Sequence, residues 1–507
     1  MAANTTGYNA NYPKTKRRNP GTTVRTVDAS VSDQDKRQLI ESARDLYRNF
    51  PVAAWAIRKH LDYVSTFNFM IQTGNKDFDD TFRALLEENS RPENCDITGR
   101  HSLGQLIRLA EGLRTTDGDV FLMKLRSGHL QGIEADRVRN EYDGKVMSPE
   151  DYRAKPWLKP FRGQVVSPWA THGVVQNKAG KAIGYRLWHK TIDDRYVFEK
   201  VVPARNMIHF GYFDKLTQAR GYSPLIAAID TMHDVDEMSE FARLKAKVSQ
   251  YFALSISRDK TDYLTGSDGY DDECATEGQF DSIDFGTGPL VLDLEDGDRA
   301  DFLESKTPST EFQDYITLAL QMGLKALDIP WSIADESFTN YSGSRIAMTQ
   351  YIKSCDSKRA DVVRVLNSIT EFWFLRWIKE RKIKLPAGME FKDIKWRWVP
   401  AGVPWFDPKA EAQADIELIA AGLKTRSEVR LTHFGDDWKT QVADKLKEEE
   451  DYLKELGLKQ EAPVNEKPGD EEENPEEEND DEDGDDEDQD QRADEVQRPR
   501  PGRGKQD

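Results

Sequence analysis

The strongest constraint on this chain lies between Thr310 and Arg345, TEFQDYITLALQMGLKALDIPWSIADESFTNYSGSR, where one helical pattern is cut and another begins. Phe312, Tyr315, Ile316, Ala319, Leu320, Gly323, Leu324 and Leu327 recur at helical spacing up to Asp328-Ile329-Pro330. Proline disfavours helical geometry in the residue before it and offers no amide donor, so a helix stops there. A polar loop with Trp331, Ile333, Asp335, Glu336 and Phe338 follows, and Asn340-Tyr341-Ser342-Gly343-Ser344-Arg345 opens a second helix. Ser342 is placed to accept a hydrogen bond from one of its first amides. No proline follows until Pro386, so the second helix can run to about Lys382, lined by Ile346, Tyr351, Cys355, Val362, Leu366 and Trp373. The fold is therefore built around two helices joined by a loop that carries apolar residues.

At 507 residues and 37% apolar content the chain has room for two to four domains with an ordinary core. Its net charge of −20 is unevenly placed: residues 461–507 hold 21 acids and 6 bases, leaving 70 acids and 65 bases in residues 1–460. A nearly neutral body argues against a general duplex binder, which neutralises phosphates with Lys and Arg, but allows DNA to pass without sticking. The 3 cysteines, Cys95, Cys274 and Cys355, lie far apart, which suggests neither a disulfide framework nor a zinc site and fits a reducing cytoplasm. No run of eighteen apolar residues occurs, and the start MAANTTGYNANYPKTKRRNPG lacks an apolar stretch, so neither secretion nor a membrane span is expected.

Residues 1–30, with Lys14, Lys16, Arg17, Arg18 and Arg25, read as a flexible basic arm. Two helices meeting at Pro51 fit the pattern from Asp33 onward. A strand over Phe67–Thr73 ends in the turn Gly74-Asn75, and a helix over Leu103–Leu113 begins after Ser102. Residues 115–212 read as a β-rich module that starts with the turn Asp117-Gly118-Asp119. This turn lacks the longer ligand series of a calcium loop. Gly221-Tyr222-Ser223-Pro224 begins a long helix to about Tyr251, with Ser223 as cap, Pro224 in its first turn, acids in its first half and bases in its second. Residues 255–307 are irregular and acidic, with short strands at 288–292 and 300–303. Phe391–Val399 alternates as a strand, Lys409–Ala421 is helical and closed by Gly422, and a last helix runs from about Asp437 to Leu456. Beyond Gln460 the chain is too charged to fold alone.

Signatures of chemistry are missing. Ala179-Gly180-Lys181-Ala182 lacks the first glycine and the hydroxyl of a phosphate-binding loop, and Gly286-Thr287-Gly288 lacks the third glycine of a dinucleotide site. Neither a Gly-x-Ser-x-Gly elbow nor a His-Glu-x-x-His pair occurs, and the 8 histidines are scattered.

Taken in order, these features resemble the lambda family of bacteriophage portal proteins. The matching residues are Asn340-Tyr341-Ser342-x-Ser344-Arg345 after Ala326-Leu327-Asp328-Ile329-Pro330, and Arg220-Gly221-x-Ser223-Pro224. Asp117-Gly118-Asp119, Gln131-Gly132-Ile133-Glu134-Ala135-Asp136-Arg137, and Trp405-Phe406-Asp407-Pro408 with Ala420-Ala421-Gly422-Leu423-Lys424-Thr425 also fit, so the resemblance covers residues 35–458.

The resemblance implies an α+β, mainly helical portal fold with wing, stem, clip and crown regions. Such chains assemble as a ring, usually a dodecamer, around a central channel at one capsid vertex, and double-stranded DNA passes through it during packaging and ejection. Carried onto this chain, the wing spans 31–221, the first stem helix 222–254, the clip 255–307 and the second stem helix 308–327. The channel loop spans 328–341, the long wing helix and returning strand 342–400, the crown 401–459 and the acidic tail 460–507.

Implied partners are other copies of the chain, the terminase large subunit, the major capsid and scaffold proteins and head-completion adaptors. Assembly is expected in the host cytoplasm, with no membrane, cofactor, metal or catalytic residue. Trp331, Ile333, Asp335, Glu336 and Phe338 are expected to face the DNA, with Trp331, Ile333 and Phe338 making a mobile, weakly adhesive contact flanked by the acids. A nucleic-acid-processing enzyme, nuclease or phage protease, with an unrecognised carboxylate site, or another ring-forming virion connector, are the alternatives left open.

Overall fold

The computed structural model describes residues 24–140, 171–177, 179–193, 195–251, 254–258, 298–302, 310–335, 341–386, 388–402, 408–436, 438, 442 and 444–455. Most of the expected basic arm, most of the clip, Trp405-Phe406-Asp407 and the acidic tail lie outside these residues. The chain divides into two units, Met1–Asp444 and Lys445–Asp507. It is mostly helical, with some sheet.

In the first unit, α1 (Val27–Ser30) is capped by Thr26, and α2 (Asp33–Asn49) by a reciprocal pair in which Ser32 and Asp35 bond each other's backbone amides. Leu39, Ala43 and Leu46 of α2 are buried. Phe50-Pro51 breaks the run as expected, and α3 (Pro51–Val64) starts with the proline where its missing donor costs least. Strand β1 (Phe67–Ile71) pairs antiparallel with distant β10 (Trp396–Pro400), Phe67 opposite Pro400 and Ile71 opposite Trp396. The helices α4 (Lys76–Ser90), capped by Asn75, and α5 (Pro92–Cys95) then lead to α6 (Leu103–Asp117), whose cap is the predicted Ser102 with Gln105. The β10 strand is shorter than expected, since Phe391–Asp393 winds into a 3-10 turn.

The expected β-rich module is two three-stranded antiparallel sheets. In one, β2 (Asp119–Lys124) lies between β3 (Leu130–Ile133) and β7 (Met207–Gly211). In the other, β5 (Ala182–Lys190) lies between β4 (Val174–Gln176) and β6 (Tyr196–Pro203). Phe121, Val138, Tyr185, Leu187, Val202 and Met207 form their common core.

The long helix after Ser223 is shorter than its spacing predicts. Pro224–Ala227 is a 3-10 turn, and α7 spans Ile229–Tyr251, 23 residues. Ser223 explains the tight entry: its hydroxyl accepts from the Leu225 amide at 3.1 Å while donating to the Thr115 carbonyl at 2.5 Å. Strands β8 (Leu254–Arg258) and β9 (Asp298–Phe302) pair antiparallel at the two ends of the expected clip, and the strand expected at 288–292 lies outside the described residues. Chain direction then returns through α8 (Thr310–Leu324), α9 (Trp331–Ala334) and α10 (Tyr341–Glu380), whose 40 residues span about 60 Å at the helical rise.

Two helical cores result. Helices α2, α7 and α8 meet through Leu39, Ala43, Met232, Val235 and Ala319. A larger core joins α3, α4, α6 and α10 to the β1–β10 pair, with Phe82, Trp373, Phe374, Trp377 and Trp396 in ring contact or close packing. Trp373 Nε1 donates to the Gly128 carbonyl at 2.8 Å, so its polar edge is satisfied in full burial. Helix α11 (Pro408–Ala420) ends with Gly422 at φ +71°, and α12 (Arg426–Phe434) begins at a Thr425–Glu428 capping box. The last described helix, α13 (Asp444–Glu455), begins at the final residue of the first unit and occupies part of the helix expected from Asp437.

Candidate functional site: a helix-joining turn and a buried charge junction

The turn between α8 and α10 is built by Lys325–Pro330. Lys325–Leu327 tightens into a 3-10 turn, Asp328 takes the left-handed conformation at φ +63°, and Ile329 is buried before Pro330. Asp328 tolerates that conformation because its carboxylate is held: Oδ2 accepts from Ser354 Oγ at 2.8 Å and from Lys358 Nζ at 2.9 Å. Partial burial raises its pKa, but these two hydrogen bonds and the Lys358 charge outweigh it and hold the carboxyl below its ordinary value.

The predicted loop residues part company here. Trp331 and Ile333 do not stand on an open loop. They lie in α9, half-buried against the large core of their own chain, because Pro330 sets up a helical turn that swings both inward. Asp335 is exposed at the end of α9, and Glu336, Phe338 and Asn340 lie outside the described residues. Helix α10 has already begun at Tyr341, so Ser342 occupies its first turn instead of the expected cap position. Ser344 is half-buried, and Arg345 pairs with Glu411 of α11 at 3.0 Å.

A second constellation gathers motifs that lie far apart in sequence. Asp117 ends α6, Gly118 turns the chain at φ +91°, and Asp119 opens β2 with no exposed surface. Asp119 receives Arg220 Nε at 2.6 Å and Nη2 at 2.9 Å, the Gly221 amide at 2.9 Å and His209 Nε2 at 3.1 Å. The other Arg220 hydrogens reach the carbonyls of Val138, His172 and Ala135 at 2.5, 2.7 and 2.9 Å, so all five donors of the guanidinium are used.

Next to this pair, Lys36 Nζ of α2 donates to the Gly221 carbonyl at 2.8 Å and lies 3.7 Å from Asp119. Asp117 holds Arg44 at 2.9 and 2.5 Å, and Arg44 also reaches Glu134 at 3.1 Å and Asp136 at 3.2 Å. Asp136 is bonded in turn by the Tyr196 hydroxyl, and Asp33 by His172. The Asp117-Gly118-Asp119 segment is thus more than the expected turn: it is the hub of a junction joining α2, α6, both sheets and the entry to α7.

Burial penalises every charge in this hub, and the partners decide the outcome. Asp119 stays well below its ordinary carboxylate value because the Arg220 and Lys36 charges overcome burial. For Lys36 burial wins, aided by the Arg220 charge, and its amine is pulled down to about 7. Burial likewise lowers His209 against the pull of Asp119.

Two glycines let the segments touch. A Cβ on Gly221 would fall 2.1 Å from the Gly118 carbonyl oxygen, and one on Gly118 2.5 Å from Tyr222 Cα. Among the described residues no group of three or more His, Cys, Asp or Glu side chains could hold a metal ion, and no helix is long and apolar enough to cross a membrane.

The described residues thus form a mostly helical body with some sheet, joined by buried charges and reversing through a tethered turn. Residues 14–359 match the family described as phage portal protein, lambda family, and the chain belongs to that family. A probable portal protein of Halomonas phage phiHAP-1 is 24% identical over 370 residues, which span 66% of this chain and 64% of that relative. Among solved structures, the virion of a native gene transfer agent particle gives a TM-score of 0.42 at 15% identity, covering 78% of this chain and 92% of that one. The neck of the native particle computed with C12 symmetry gives 0.41 at 16% identity, covering 79% and 93%.

Proposed function

We propose that the chain forms a ring around a channel at one capsid vertex and conducts double-stranded DNA inward during packaging and outward during ejection. The observation that carries this reading is family membership across residues 14–359, a span that includes the turn, the junction, α8 and the first half of α10. In this arrangement α7 and α8 are the stem, residues 255–307 the clip that meets the terminase large subunit and later the head-completion adaptors, and α10 the helix crossing the wing. Residues 401–459 are the crown, and capsid and scaffold proteins surround the ring, which assembles in the host cytoplasm before it enters the virion.

The geometry of the turn refines the expected channel loop. Trp331 and Ile333 fasten α9 to its own subunit, which leaves Asp335 as the described residue of the loop that offers charge to the channel. A polyanion slides past an acidic or neutral wall and is retained by a cationic one. Negative-stain images of the purified chain test the ring: a central hole supports it, and a compact monomer at every concentration refutes it. Asp335→Lys tests the channel role. Rings should persist while packaging slows at low salt, and unchanged packaging would remove Asp335 from the DNA path.

A further inference from the structure

We infer that the cleft between α6 and the open edge of β3 binds a short extended peptide of another protein, one whose aliphatic side chains are flanked by carboxylates. The cleft encloses about 360 Å³, with Leu106, Leu109 and Leu113 of α6 on one side and Gln131, Gly132 and Ile133 of β3 on the other. Leu109 and Leu113 also line a wider hollow of about 700 Å³ against α2 and α3, so the two are continuous. Ile97 beside the cleft is 46% exposed, Leu109 between the two 47%, and Tyr47 in the wider hollow 38%. An apolar run of this kind marks a contact surface.

The backbone of β3 supplies the anchor. Residues of an antiparallel strand direct their amide and carbonyl alternately toward the neighbour and away from it. The Leu125 amide bonds the His129 carbonyl, while Leu130 turns the other way, its carbonyl accepting the Ile97 amide at 3.0 Å. Gly132 shares the orientation of Leu130, and β3 is the edge of its sheet, so the Gly132 amide and carbonyl point outward and meet no partner among the described residues. Gly132 also lies opposite Leu122 and on the face of Leu130, and both leucines belong to the core against α6. The missing side chain is what leaves the cleft open: a Cβ there would meet only Leu106 Cδ1, at 4.0 Å. An exposed strand edge beside a side-chain pocket is the geometry that accepts an added strand.

Charge selects the occupant. Arg44, Arg48, Arg58, Arg100, Arg108 and Arg137 line the two hollows, against the carboxylates of Asp96 and Glu134. Arg44 is committed to Asp117, Glu134 and Asp136, Arg48 to Glu41 at 2.7 Å, Arg108 to Asp62 at 2.7 Å and Arg137 to Glu199 at 3.4 Å. Asp96 is buried and accepts the Thr98 hydroxyl. Arg58 in the wider hollow and Arg100 in the cleft are exposed and have no ion-pair partner among the described residues. Arg48 and Arg108 each hold their carboxylate through one nitrogen, which leaves donors to spare. Carboxylates on either side of an aliphatic residue would thus find guanidinium groups, whereas a basic peptide would meet carboxylates already paired or buried.

The test is fluorescence anisotropy of a labelled peptide, Asp-Glu-Leu-Val-Leu-Asp-Glu, titrated with the full chain, with Lys-Lys-Leu-Val-Leu-Lys-Lys as control. The acidic peptide should bind and the basic one should not. Gly132→Leu fills the cleft without backbone strain and should weaken binding about tenfold or more while keeping the native urea midpoint. Arg58→Glu and Arg100→Glu should each weaken it about threefold or more and reduce its salt dependence. If the Gly132→Leu midpoint falls, the arginine variants decide, and unchanged binding in both overturns the inference. No binding of the acidic peptide, equal binding of both peptides, or full binding to a folded Gly132→Leu would overturn it too. Binding only after removal of residues 461–507 would make the chain's own acidic tail the occupant, and binding lost on assembly would make a second copy the occupant; either result also overturns it.

Discussion

Asp119→Asn isolates the charge at the hub of the junction while nearly preserving shape. In the native chain the Arg220 guanidinium is 2% exposed and, among the described residues, its one carboxylate partner in hydrogen-bond contact is Asp119. Removing that charge leaves a buried cation uncompensated, with Lys36 at 3.7 Å from the same site losing its counter-charge too. Breaking a buried pair from one side costs about 3–5 kcal/mol, a factor of roughly a hundred to several thousand in the unfolding equilibrium. Arg220→Met should cost at least as much, because it also strands the carbonyls of Ala135, Val138 and His172.

The assay is urea unfolding of each full-length variant at one fixed protein concentration, so that assembly contributes equally to all. An Asp119→Asn midpoint corresponding to a loss under about 1 kcal/mol would refute the claim that this pair holds the junction together. The pH dependence gives a second reading. The Asp119 carboxyl is held well below its value in the unfolded chain, so its contribution is complete above that unfolded value and is lost as pH falls through the folded one. The corresponding part of the acid-side slope should vanish in Asp119→Asn.

Lys36 shifts stability in the same direction over a higher pH range. Its amine is lowered from 10.5 to about 7, so the unfolded chain holds a proton that the fold does not across that window, and stability should rise with pH there. Lys36→Met should abolish that rise, which urea midpoints at pH 7, 8 and 9 would check. Gly221→Ala drives a methyl to 2.1 Å from a backbone oxygen and should cost about 1–3 kcal/mol or more, read as a lowered thermal midpoint. Asp328→Ala removes the Ser354 and Lys358 contacts and places a poorly suited residue at φ +63°; a loss of about 1–2 kcal/mol is expected, and Asp328→Gly should recover part of it. Removing residues 461–507 takes away 21 acids and 6 bases, and rings lacking them should retain more DNA at low salt, with the difference fading as salt screens it.

Local rules were readable wherever one residue type fixes a backbone. Ser102, Pro51 and Gly422 each begin or end a helix where expected, since capping and proline geometry act within a turn of the chain. Helix α4 and the Thr425 capping box were legible by the same rules, through Asn75 before Phe78 and Thr425 before Glu428, yet fell outside the expected elements. The junction was not legible. Asp119 and Arg220 are 101 residues apart, and a single sequence does not say which carboxylate will meet which guanidinium. The fate of Trp331 and Ile333 was hidden for a related reason: an aromatic after a proline stop reads equally as a loop tip or as an anchor, and only the core of α3 and α10 decides between them.

The length of α10 has a mechanical consequence. A helix of about 60 Å, gripped by aromatic side chains over its second half and lashed to the reversal at Asp328 by Ser354 and Lys358, acts as a lever with a clamped root. A displacement of the turn would not dissipate locally. It would travel along this strut to Trp373, which is bonded to the Gly128 turn between β2 and β3. A shift at Asp328 would then be felt at the β2–β3 turn.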